Sequence, residues 1–208
     1  MEKLVVKTAV KTVLIILGIF VAVFAIFNFA FPQHMASATE SLGNYDLAVK
    51  YASLRYYYTK DVDDLARCFD DSVLLGNDEY ILEYGQNLVE HKEYDEVCKR
   101  KNAQYGGGFD YDYRVSSKLA ISLYNTGKTE EGINYAVKAM KDKDGNITSF
   151  PYGNPLISLA ARISSDNSKA AANIMLLVLK DVQGSSSEEE TYLVQVTATM
   201  NRVAATGV

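Results

Sequence analysis

The first pattern along the chain is a run of apolar residues with no polar face. From Val13 to Phe31 it reads VLIILGIFVAVFAIFNFAF, nineteen positions with no charge and one polar side chain, Asn28. At ~1.5 Å per residue a helix of this length reaches about 28 Å, close to the ~30 Å hydrocarbon core of a bilayer. A buried helix of a soluble protein shows a polar stripe, and this run shows none. Pro32 follows at once, where it ends a helix without removing a hydrogen bond at membrane depth. The run therefore predicts a transmembrane helix over 13–32.

The flanks give that helix a direction. Lys3, Lys7 and Lys11 precede it, opposed only by Glu2, and no Lys or Arg follows until Lys50. Basic flanks stay on the cytoplasmic side. The expectation is a single-pass protein of the cell membrane, with 1–12 in the cytoplasm and the C-terminal domain outside. A cleaved signal peptide is the alternative. It shares the basic start, and Ala36-Ser37-Ala38 has the small-residue pattern of a cleavage site. The apolar run nevertheless exceeds the ~7–15 residues of an ordinary signal core, which favours an uncleaved signal-anchor. Gly18 and Ala22 make a small-xxx-small pair suited to self-association of the helix.

Beyond a polar spacer at 33–44 the pattern turns helical and repeats. Four stretches open helices after tight polar turns: Val62-Asp63-Asp64-Leu65, Tyr94-Asp95-Glu96-Val97, Thr129-Glu130-Glu131-Gly132 and Lys169-Ala170-Ala171-Ala172. The first three place acids in the first turn, where they complement the helix dipole. The stretches lie 32, 35 and 40 residues apart. Helix pairs are predicted at 45–58 and 61–75, 78–91 and 94–103, 114–126 and 129–142, and 155–164 and 167–181. Ser185 to Glu190 reads as a linker and N-cap, with Ser187 and Glu190 spaced as a capping box, followed by a helix over 188–204.

The third unit, Lys118 to Met140, carries a family likeness. Leu119-Ala120 is a large-then-small pair, Gly127 sits at the turn, and Gly132 and Ala139 are small residues in the second helix. Antiparallel helices approach closely only where one presents Gly or Ala at the crossing. With the period of about 34 residues, this resembles the tetratricopeptide repeat (TPR) family. The likeness spans about 45–182, and the family's tryptophan and closing proline are absent. It implies an all-α solenoid of antiparallel helix pairs behind the membrane helix, with 183–208 as linker and terminal capping helix.

Composition narrows the function. Taking Lys3, Lys7 and Lys11 from 21 basic residues, and Glu2 from 26 acidic ones, leaves 18 and 25, so the remainder carries net −7. Such a balance offers no pull toward nucleic acid. Cys68 and Cys98, thirty apart, form no metal or redox motif and read as buried helix residues, with one disulfide as the alternative. No cofactor or metal site is expected.

Fifteen tyrosines against eight phenylalanines exceed what a core alone needs. In the family, the first helix of each pair lines a concave groove. The resemblance therefore implies a partner-binding face formed by Tyr51, Arg55, Tyr58, Tyr80, Tyr84, Asn87, Tyr113 and Tyr124. Tyrosine gives contact area and a hydroxyl at low entropic cost, while the plainer reading packs each ring between helices. The function expected is that of a membrane-anchored scaffold holding a protein or peptide.

An enzymatic alternative rests on Asp110 and Asp112 in the loop Tyr105-Gly-Gly-Gly-Phe-Asp-Tyr-Asp-Tyr113. That loop lacks the GK[ST] ending of a phosphate loop and the ligand spacing of an EF-hand. His34 lies at the membrane edge, and His91 at a helix end, where a positive imidazole is a favourable cap. No nucleophile or metalloprotease signature is present. The stretch 142–154 reads as a plain surface turn, with a glycosylation sequon at Asn146. A secreted helical spacer is the remaining alternative if the N-terminal segment is cleaved.

Overall fold

The computed structural model describes residues 2–107, 109–139, 155–180 and 186–207. The predicted turn over 142–154, with Asn146, lies outside the described residues. Among the described residues there are eleven helices and no strand. The chain divides into two compact units, 1–75 and 76–208.

The first unit holds α1 (Glu2–Ala30), α2 (Pro32–Ser41), α3 (Tyr45–Thr59) and α4 (Val62–Leu75). Within α1 the stretch Val6–Phe27 has mean hydropathy 2.7 and is long and apolar enough to cross a membrane. Every side chain from Val6 to Phe27 is exposed. The helix starts well before Val13, because Lys7 and Lys11 are good helix formers whose stems extend along an apolar surface.

The expected spacer at 33–44 is mostly helix. Pro32 closes α1 and opens α2 in the same place, since a first-turn residue needs no N–H. The buried residues of α2, Ala36 and Thr39, lie three apart on one face, and α2 packs against α3. Gly43, at φ +71, ends it. Its N–H donates to the Glu40 carbonyl and the Asn44 N–H to the Thr39 carbonyl, both at 2.8 Å. That is a Schellman closure, which needs a left-handed residue at this point.

Asn44 then caps α3, its side chain accepting from the Leu47 N–H at 3.3 Å. Buried Leu65, Ala66, Cys68 and Phe69 form the inner stripe of α4, which packs on α3. Arg67 ties α4 back to α2, with Nε donating to Glu40 Oε1 at 2.5 Å and Nη2 to Ser37 Oγ at 2.8 Å.

The second unit holds α5 (Asp78–Val89), α6 (Tyr94–Tyr105), α7 (Tyr111–Asn125), α8 (Thr129–Ala139), α9 (Pro155–Ile163), α10 (Ser168–Leu179) and α11 (Ser187–Thr206). Helix α7 is central and packs against α5, α6, α8 and α9, while α10 lies against both α9 and α11. Ala120, Ala136, Leu156, Leu159, Ile163 and Ile174 belong to one buried cluster. Gly132 permits the α7–α8 crossing: a Cβ there would stand 2.8 Å from the Ala120 carbonyl oxygen. Gly127, at φ +84, closes α7, with the Lys128 N–H reaching the Leu123 carbonyl at 2.8 Å.

Three local expectations shift. Helix α7 begins at Tyr111, not near 114, because Asp110 caps it and Asn102 Oδ1 accepts from the Tyr111 N–H at 2.8 Å. His91, expected to cap a helix end, turns its Nδ1 toward the Glu93 N–H at 3.2 Å. The cap of α11 is Ser186, one residue before the expected Ser187, accepting from the Glu189 N–H. Helix α11 lies along α10, and Ser168 Oγ donates to the Gly207 carbonyl at 2.8 Å.

Candidate functional site

The helical period sorts the expected site residues into stripes. Tyr51, Arg55 and Tyr58 fall at i, i+4 and i+7 on α3, and Tyr80, Tyr84 and Asn87 repeat that spacing on α5. The α3 stripe belongs to the first unit and the other five residues to the second. Several of these residues also have local structural work. Tyr80 and Tyr84 pack ring to ring at 6.0 Å between centroids, and Asn87 donates to the Glu83 carbonyl. The Tyr113 hydroxyl and Ser158 Oγ share a hydrogen bond of 2.7 Å, joining α7 to α9. The Arg162 guanidinium lies 5.8 Å from the Tyr124 ring centroid.

A concavity with polar side chains in its wall lies at the junction of α1 and α2. A pocket of about 290 Å³ opens there, lined by Phe31, Gln33 and His34 on one side and by Arg55, Tyr58 and Thr59 on the other. The packing of α2 on α3 places the start of the first beside the end of the second. Arg55 is fixed by Asp64: its Nε donates to Asp64 Oδ2 at 2.8 Å, and Thr59 Oγ1 donates to the same oxygen at 2.8 Å. Asp64 is 7% exposed, so the pair sits at the edge of the core. Lys60 follows with φ +54, its Nζ 4.8 Å from the Tyr57 ring centroid. Arg55 and Tyr58, expected in a partner-binding groove, line this pocket together with Phe31 from the end of the apolar run and Gln33 and His34 from the expected spacer. The signal for a helix there was Pro32 directly after the apolar run, a helix-starting position as well as a helix-ending one.

A second polar cluster joins α6 to α7. The Tyr94 hydroxyl donates to Asp112 Oδ1 at 2.7 Å. Burial pushes the Tyr94 hydroxyl far above the usual phenol range, with the Asp112 charge adding to it. Burial likewise raises Asp112, against the lowering effect of the Tyr94 hydrogen bond. Asp110 is committed to capping α7, accepting from the Tyr113 N–H at 3.1 Å. The two carboxylates of the aromatic loop thus point to separate partners. Cys68 and Cys98 are free and buried, their thiols pushed up to about 12 and about 11, chiefly by burial. Low thiolate content makes such groups poor nucleophiles.

A second concavity, of about 300 Å³, is apolar and lies between α9, α10 and α11, with Ile157, Ala161, Met175, Met200 and Val203 in its walls. Among the described residues no group of three or more His, Cys, Asp or Glu is placed to hold a metal ion. Comparison with protein-family models, with curated proteins and with solved structures finds no match to this chain.

Proposed function

We propose that this chain is a single-pass membrane adaptor, anchored by α1, whose helical domain holds a partner protein or peptide at the outer face of the cell membrane. The observation that carries the reading is the uncovered apolar surface of α1, exposed from Val6 to Phe27. A soluble chain rarely leaves so large an apolar surface in water. Lys3, Lys7 and Lys11 supply the orientation.

Several contacts favour a TPR-like stack for the second unit. The first helix of each expected pair packs on the next, α5 on α7 and α7 on α9, and the α7–α8 hairpin closes on Gly132. The α5 stripe of Tyr80, Tyr84 and Asn87 is partly to fully exposed and is the surface we assign to the partner. The hydrolase alternative has less to stand on, because Asp110 caps a helix and Asp112 accepts from Tyr94.

Protease accessibility on intact cells, read together with the size of the mature chain, tests anchor and orientation. Digestion of the domain from outside, with a full-length chain beforehand, is the expected result. Partner capture by the full chain in mild detergent, lost in a Tyr80→Ala/Tyr84→Ala variant, tests the binding face. Capture unchanged by that variant removes the α5 stripe from the proposal.

A further inference from the structure

We propose that the pocket at the α1–α2 junction seats the headgroup of a zwitterionic membrane phospholipid, with Arg55 on the phosphodiester. The inference rests on the membrane reading above and adds a ligand to it. Position is the first argument. The pocket begins at Ala30 and Phe31, the last residues of the apolar run, so a bilayer-spanning α1 carries it to headgroup level. Its volume of about 290 Å³ is close to the ~300 Å³ at which small-ligand sites begin, room for a headgroup but not for acyl chains.

Chemistry is the second argument. Arg55 uses Nε for Asp64, the one hydrogen bond its guanidinium makes among the described residues. Two Nη groups remain in a fork that matches phosphate oxygens. The start of α2 lies on the opposite wall, where Pro32 has no N–H and the His34 and Met35 N–H groups donate to the Phe31 carbonyl at 3.1 and 3.2 Å, so this wall offers the Gln33 and His34 side chains. The Gln33 amide and the His34 ring N–H can donate to an anionic oxygen in the same space. Phe31, 46% exposed, and Tyr58, 66% exposed, are aromatics of the kind found at membrane interfaces.

Charge balance selects the headgroup class. Asp64 already compensates Arg55, the exposed acids Asp61 and Asp63 follow close in the chain, and the C-terminal end of α3 is negative. His34 is the other basic side chain in the lining, while the Lys60 ammonium lies against the Tyr57 ring. A surrounding so nearly neutral favours a phosphate that brings its own ammonium over a free phosphate or a purely anionic lipid. The ammonium then has the Tyr58 ring to face.

The test uses the full chain in nanodiscs of equal phosphatidylethanolamine and phosphatidylglycerol, extracted into mild detergent, with retained lipid counted by native mass spectrometry. The wild-type chain is expected to keep about one phosphatidylethanolamine, as one such pocket predicts. An Arg55→Gln/Asp64→Asn variant, which avoids stranding a buried carboxylate, should keep roughly tenfold less, the loss of one charge-assisted contact. Tyr58→Ala, at an exposed position, should lose about two- to threefold. Equal retention by all three chains overturns the pocket while leaving the anchor intact. Preference for phosphatidylglycerol, or displacement by millimolar inorganic phosphate, overturns the zwitterionic assignment. A chain that fails to enter the nanodisc overturns the anchor and the pocket together.

Discussion

Asp71 on α4 is 3% exposed, and its Oδ2 has no hydrogen-bond partner. Burial, then the charge of Glu40 and a hydrogen bond with it, push the Asp71 carboxyl up to about 7 against the opposing pull of Arg67. The fold therefore holds this proton more tightly than the unfolded chain does. Below the ordinary value of 3.8 both states are protonated and nothing is lost. Between there and about 7 the unfolded chain releases the proton first, so stability falls as pH rises, and above about 7 the loss is constant. Denaturant titration of the full chain is expected to show lower stability at pH 8 than at pH 5, by on the order of 1–4 kcal/mol. Asp71→Asn should flatten that slope and stabilise the chain at pH 8; a slope unchanged in the variant would place the titration elsewhere. At the α6–α7 contact, Tyr94→Phe removes the donor that holds Asp112 down. The Asp112 carboxyl should then titrate at still higher pH by NMR, with a stability loss of about 1 kcal/mol.

Among elements, the α7–α8 hairpin depends on two glycines for different reasons. Gly132 sits in ordinary helical backbone and is needed for space, since the atom a Cβ would meet is the backbone oxygen of Ala120. A backbone atom cannot swing aside as a side chain can. Gly132→Ala is expected to cost about 1–3 kcal/mol by forcing the helices apart. Gly127 has open space around its Cα but a left-handed φ of +84, so Gly127→Ala should cost only about 1 kcal/mol, through strain. Thermal unfolding of the two variants separates the causes, and an equal effect from both would refute the close crossing. The same distinction explains α2. Its closure by Gly43 is local and readable, but its existence depends on Ala36 and Thr39 finding α3.

On the scale of the whole molecule, orientation is the property most exposed to test. Lys3, Lys7 and Lys11 are the basic residues on the N-terminal flank, and Lys50 is the first on the other side. Under the proposed orientation, replacing the three with Gln removes the charge difference that would keep the N-terminus in the cytoplasm. Protease accessibility should then report a mixed population, with a substantial fraction of domains shielded inside the cell. A population still uniformly outside would mean that the length of α1, and not its flanks, sets the direction.

The sequence by itself determined the helical class and most of the helix limits. Those are local matters of cap, turn and period: Asn77 before α5, Gly127 after α7 and the acids opening α4, α6 and α8 all act within a few residues. It also determined the apolar length of α1, because nineteen uncharged residues need no partner to be recognised. Tertiary structure decided what each tyrosine faces. The same residue type packs ring to ring at Tyr80, joins two helices at Tyr113 and stands exposed at Tyr58. It also made a helix of a polar stretch and set Gln33 and His34 opposite Arg55, some twenty residues away in the chain. Spacing along one helix fixes which side chains share a face, whereas the space between two helices depends on how they pack, and no local pattern encodes that.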